Sequence, residues 1–243
     1  MHVRVRTAVP VVEGNGFRCR QHLGSSEAAH QLFSSEHRGF GTLRLFDDIS
    51  LDANSRASFQ AHDGLQTIVY VLQGDLRLAL DGSEPADLKR GVAARITGGH
   101  GAQYEATNRA GGSSRFLVAA VVAPKANAQA PLAMTASDPE APGLVWLAAG
   151  PEAEPSARSL LLGSATRLGM TSLAPGIEIR FPSIVARGLF LDVIQGQIEL
   201  NSEILNEGDD AKLSLEPGAV RIQGVTPARV VVADVPLGFV QEL

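Results

Sequence analysis

Phe59-Gln-Ala-His-Asp-Gly-Leu-Gln-Thr-Ile-Val-Tyr-Val-Leu-Gln-Gly74 reads as strand, turn, strand. Its second half is a β-branched run that ends at a glycine. The segment that follows, Asp75-Leu-Arg-Leu-Ala-Leu80, alternates, so that Leu76, Leu78 and Leu80 share one face of an extended chain. The same unit recurs 122 residues later: Val71-Leu-Gln-Gly74-Asp-Leu-Arg-Leu78 matches Val193-Ile-Gln-Gly196-Gln-Ile-Glu-Leu200. In the second copy Ile198 and Leu200 take the inward positions. Gly74 and Gly196 stand where the strand turns back, a place that often demands positive φ. Further on, Leu88-Lys-Arg-Gly91 lines up with Leu205-Asn-Glu-Gly208, and each copy closes on a long apolar strand.

Short β-branched runs punctuated by Gly, Pro, Asp and Asn fill the rest of the chain. Examples are Gly41-Thr-Leu-Arg-Leu-Phe46, Arg115-Phe-Leu-Val-Ala-Ala-Val-Val122 and Ala228-Arg-Val-Val-Val-Ala-Asp234. The spacing predicts an all-β protein of two tandem barrels. The joint is expected within Pro124 to Pro142, which gives halves of 1–130 and 131–243. Ser25 to Phe33 is the best helical segment. A chain of 243 residues that is 44% apolar can bury two cores. A net charge of −5 argues against direct nucleic-acid binding. No apolar stretch predicts a membrane span or a signal peptide. Cys19 is the only cysteine, which excludes an intrachain disulfide and a cysteine-rich zinc site. These features lead to an expected cytoplasmic location.

Taken in order, several stretches resemble the pirin family of bicupins, including its bacterial quercetinase-like members. They are Gly39-Phe-Gly-Thr-Leu-Arg-Leu-Phe-Asp-Asp48, Gln60-Ala-His62 with Thr67-Ile-Val-Tyr-Val-Leu-Gln-Gly74, Thr97-Gly-Gly-His-Gly-Ala-Gln-Tyr-Glu-Ala-Thr-Asn108, Leu205-Asn-Glu-Gly-Asp-Asp210 and Val231-Val-Ala-Asp-Val-Pro236. The resemblance implies two cupin barrels of the double-stranded β-helix type, with terminal strands that can cross to the partner barrel. It also implies one iron-like metal held in the N-terminal barrel by three His and one Glu. Carried over, those ligand positions fall on Gln60, His62, Tyr104 and Ala106. Only His62 keeps its ligand type, so the resemblance implies a degenerate site. No bound metal is expected, and Gln60, His62 and Tyr104 become the expected ligand-binding residues. The alternative is a metal-dependent dioxygenase of quercetin 2,3-dioxygenase type. It would hold one divalent metal such as iron through His62 with Gln60, Tyr104 or Glu105.

Other residues carry weaker signals. Glu105 is next to Tyr104, so in a strand it faces the other way. His100 sits in a Gly-Gly-His-Gly turn, and His2, His22, His30 and His37 are scattered with no ligand spacing. The second half has no histidine. Trp146 is expected to pack at the junction of the halves. No nucleotide loop or nucleophile elbow is present, and the sequence names no catalytic residue. The expected partners are a small molecule in the N-terminal barrel and, by resemblance, a protein.

Overall fold

The structure, a computed structural model, describes residues 2–7, 9–24, 39–61, 64–97, 102–123, 131–151, 159–182, 184–214 and 219–238. All regular elements among them are strands. The first are β1 (His2–Arg6), β2 (Val11–Gly14), β3 (Phe17–Leu23), β4 (Leu43–Leu51), β5 (Arg56–Gln60), β6 (Leu65–Gln73), β7 (Asp75–Leu80), β8 (Ala86–Lys89), β9 (Val92–Thr97), β10 (Gln103–Thr107) and β11 (Ser114–Val122). They continue as β12 (Leu132–Ala136), β13 (Gly143–Ala149), β14 (Leu160–Leu161), β15 (Arg167–Leu173), β16 (Glu178–Pro182), β17 (Arg187–Gln195), β18 (Gln197–Leu200), β19 (Glu203–Asn206), β20 (Asp210–Ser214), β21 (Ala219–Gly224) and β22 (Ala228–Pro236). The helical segment expected from Ser25 to Phe33 lies outside the described residues.

Four sheets form two barrels with one topology. The first barrel joins β12-β9-β6-β11-β4-β3-β2 to β5-β10-β7-β8. The second joins β1-β20-β17-β22-β15-β13-β14 to β16-β21-β18-β19. The sequence repeat is therefore a structural repeat, in which β6 and β7 correspond to β17 and β18. The two expected halves each lend a strand to the other. His2–Arg6 pairs antiparallel with β20 of the second barrel, and Leu132–Ala136 pairs with β9 of the first. The boundary at 130/131 thus marks neither barrel, and part of the expected joint is a strand. β12 is only partly buried. An edge strand of that kind depends on its distant partner and has a weak hydrophobic pattern of its own.

Burial explains which runs look continuous and which alternate. β6 is buried on both faces: Val69 and Val71 point into the first barrel, while Ile68, Tyr70 and Leu72 point to the second. β11, β17 and β22 are sandwiched in the same way, and all three read as long apolar runs, interrupted in β17 by Asp192 and in β22 by Asp234. The outer strand β7 meets solvent on one side, so Leu76, Leu78 and Leu80 alternate with exposed or half-exposed Asp75, Arg77 and Ala79. Between the barrels lies one shared core. The Phe46 and Phe190 rings, one from each barrel, meet there with centroids 5.0 Å apart. Trp146 is not in that core. It packs against the interior of the second barrel, with the Arg167 guanidinium 4.7 Å from its ring centroid.

The two turn glycines have the predicted backbone, with φ of 72° at Gly74 and 78° at Gly196. A Cβ at Gly196 would lie 2.1 Å from the Pro227 carbonyl oxygen. Gly196→Ala is therefore expected to lose about 1–3 kcal/mol in urea unfolding, from left-handed strain together with the clash. Gly82→Ala shares the positive φ but meets nothing within 4 Å. It should lose clearly less, and equal losses would show that the close approach at Gly196 is unimportant.

Candidate functional site in the first barrel

The residues of the expected site sit on β5 and β10, which pair antiparallel. Gln60 is opposite Gln103, Phe59 opposite Tyr104, Ser58 opposite Glu105 and Ala57 opposite Ala106. Directly opposed residues share a face, so Tyr104 and Ala106 face the same way as Phe59 and away from Gln60. Phe59, Tyr104 and Ala106 are buried in the first barrel's core, at 7%, 3% and 0% exposure. The Gln60 side chain is exposed on the outer face. The expected grouping of Gln60, His62 and Tyr104 thus fails at Gln60. Alternation orders each strand, but the pairing register sets the phase between strands. His62 lies outside the described residues, as does His100. Glu105 is on the outer face too. One of its oxygens accepts from Thr107 Oγ1 at 3.2 Å and the other is 3.5 Å from Arg56 Nη1.

Inside the barrel the Tyr104 ring stacks on Phe59 at 5.1 Å and 19°, and Phe116 meets Phe59 edge-on at 6.4 Å. Such aromatic contacts add to plain area burial. On β4, Asp47 is fully buried on the same side as Ile49 and Leu51. Burial drives the Tyr104 phenol far above its ordinary range, and the charge of Asp47 pushes it further. The phenol is therefore neutral at any working pH. A neutral phenol and a methyl group are not donors for a divalent first-row ion. The described residues at the positions the resemblance assigns to metal ligands do not fit such an ion. Among the described residues no group of three His, Cys, Asp or Glu is placed to hold one. The second barrel has Phe181 at the position equivalent to Phe59, packed with Val220 and Ile222. Among the described residues, apolar side chains thus line both interiors. A cleft of about 370 Å³ opens beside the first barrel between β2 and β5, lined in part by Phe17, Phe59, Arg56 and Glu13. A second, of about 290 Å³, lies beside Leu173, Gln195 and Arg229 in the other half. Among the clefts lined by described residues, volume alone does not single out the first barrel.

A second polar constellation lies between the barrels, and sequence spacing did not reveal it. His22 of β3 is 1% exposed. Its Nδ1 is 3.0 Å from Asp210 Oδ2 and its Nε2 is 3.5 Å from Asp192 Oδ1. Arg6 donates to Asp210 from Nε at 3.0 Å and from Nη2 at 2.6 Å, and also to the His22 carbonyl. Arg115 donates to both oxygens of Asp48 and to the Ile194 carbonyl of the second barrel. Arg18, Arg20, Ser50 and Glu207 complete a cleft of about 160 Å³ beside that ion pair. The one available sequence signal was Asp192, a lone acid inside the apolar run Leu189–Ile194.

Comparison with known proteins agrees with this architecture. Residues 149–235 match the family model described as the quercetinase C-terminal cupin domain. No curated protein matches the sequence. Among solved structures, the bacterial pirin YhhW of Escherichia coli in complex with nickel(II) is 16% identical over 97% of this chain and 99% of its own, with a TM-score of 0.81. Quercetin 2,3-dioxygenase from Acinetobacter baumannii is 13% identical over 97% of this chain and 80% of its own, with a TM-score of 0.73. At such identities the likeness carries the fold. With the duplicated barrel topology and the exchanged strands, the chain has the two-barrel cupin fold of these structures, and its second half carries a domain similar to the quercetinase C-terminal cupin domain.

Proposed function

We propose that this protein is a binding or regulatory bicupin that works without a metal. A small molecule at the first barrel is its ligand, and a protein is a further partner. The carrying observation is the Tyr104–Phe59 stack beside Ala106. Aromatic packing and a methyl group stand where the resemblance asks for an imidazole and a carboxylate. The cleft lined by Phe17, Phe59 and Arg56 suits a small ligand with one flat apolar face and a polar edge. We place the protein in the cytoplasm, where the buried thiol of Cys19 stays reduced. No helix among the described residues is long and apolar enough to cross a membrane.

The rival reading is a quercetinase-type dioxygenase, favoured by the description of the matched second domain. Elemental analysis of protein purified without chelator separates the two, together with oxygen uptake on quercetin after loading with iron(II) or nickel(II). Expected are metal well below one per chain and oxygen uptake no faster than the metal-only blank. About one tightly held metal per chain, with oxygen uptake lost in His62→Ala, would overturn the proposal.

A further inference from the structure

We propose that His22 and Asp192 form a proton-operated latch between the two barrels, tight while the pair holds a proton and looser once it is lost. His22 belongs to a first-barrel strand. Asp192 on β17 and Asp210 on β20 belong to the second. All three are buried, at 1%, 1% and 2% exposure. The Phe46 ring packs edge-on against the imidazole at 5.8 Å, so the site is walled by the inter-barrel core.

The charges around the pair balance except for the pair itself. Arg6 from β1 offsets Asp210, and Arg115 from β11 offsets Asp48 from β4. Arg20 of β3 stands 3.9 Å from Asp48, and Glu207, in the turn before β20, faces Arg115. His22 and Asp192 are left facing each other. Neither carboxylate oxygen of Asp192 has a hydrogen-bond partner among the described residues. A bare buried carboxylate is costly to hold. The cost is met if the imidazole is charged or the carboxyl is protonated, and both arrangements place at least one proton on the pair. Removing that proton leaves a net negative charge sealed between the barrels.

Burial raises Asp192 from 3.8 to about 7, and the charges of Asp48 and Asp210 act in the same direction against the pull of His22. For His22 burial works to lower the value, but Asp192, Asp210 and Asp48 outweigh it, and the imidazole lies above 6.5. Both groups therefore bind a proton more readily folded than unfolded. The contribution of Asp192 is complete below its unfolded value and is lost as pH rises through about 7. That of His22 is complete below 6.5 and is lost as pH rises through its higher folded value. The two slopes have the same sign, so the inter-barrel contact weakens from mildly acidic to mildly alkaline pH.

The test uses the full chain between pH 6 and 9, where ordinary carboxylates no longer titrate. Thermal unfolding of the natural protein should drop in midpoint across this range. Asp192→Asn keeps the shape and cannot titrate, so its drop should be at most half as large. His22→Gln should flatten the curve in the same way, and it carries the test if Asp192→Asn does not fold. Amide exchange, corrected for its intrinsic pH dependence, should accelerate more in β3 and β17 than in the outer strand β7. Proton NMR of the natural protein should show the His22 imidazole titrating above 6.5. Equal slopes in natural and substituted proteins, uniform acceleration of exchange, or a His22 midpoint at or below 6.5 would each overturn the latch.

Discussion

Phe190→Ala is expected to remove about 3–5 kcal/mol of stability, the usual cost of truncating a buried phenylalanine. Phe190 is completely buried on β17, and its ring meets Phe46 of the first barrel at 5.0 Å. Around this pair lie Leu23, Leu43 and Leu117 from one barrel and Ile194, Val231 and Ala233 from the other. Both flanking strands are held in sheets, so the walls cannot collapse far into the space left behind. The exchanged strands β1 and β12 tie the barrels together at their edges. The loss should therefore appear in one cooperative urea transition rather than in the second barrel alone. Domains of ordinary stability have about 5–15 kcal/mol in all, so the variant should be visibly less stable at room temperature. A loss near 1 kcal/mol, or two separate transitions in the natural protein, would show that the shared core does not couple the barrels.

Arg115→Ala is expected to cost about 3 kcal/mol, at the lower end of what breaking a buried ion pair costs. Arg115 Nη2 and Nε reach Asp48 at 2.6 and 3.0 Å, and Nη2 also donates to the Ile194 carbonyl at 3.1 Å. Asp48 is 6% exposed, and without Arg115 its nearest cation is Arg20, 3.9 Å away. The loss comes mainly from stranding that carboxylate, so removing both charges should restore part of it. Arg115→Met with Asp48→Leu is expected to be more stable than Arg115→Ala alone. Urea unfolding of the three proteins decides this. A double variant as unstable as the single one would mean that the Ile194 contact, not the stranded charge, carries the effect.

Much of the architecture is legible in the amino-acid sequence. The Gly74 and Gly196 units mark equivalent corners, because a reversing strand needs a backbone that glycine adopts freely. Leu76, Leu78 and Leu80 reveal their inward face, because side chains alternate with a period of two. The pirin resemblance draws on the order of such local pieces, and local order survives in sequence even at identities of 13–16% with solved relatives.

The candidate site is legible only strand by strand. Tyr104 and Ala106 do share a face, as their spacing of two implies, but Gln60 does not join them. That depends on whether residue 59 or residue 60 stands opposite residue 104. Hydrogen-bond register across two strands some forty positions apart leaves no mark in either strand alone. Glu105, by contrast, takes the outer face that its neighbour Tyr104 implies, because adjacent residues of one strand settle that question between themselves.

By itself, then, the sequence determined the class, the duplication, the turn glycines and the inward residues of each outer strand. Each of these follows from backbone conformation and side-chain alternation over a few residues. Only the tertiary structure decided that β1 and β12 change barrels, that Trp146 packs against the core of the second barrel, and that His22 meets Asp192 and Asp210. His22 and Asp192 are 170 positions apart. They meet because the facing sheets of the two barrels press together; burial there raises Asp192, while at His22 the charges of Asp192, Asp210 and Asp48 outweigh burial.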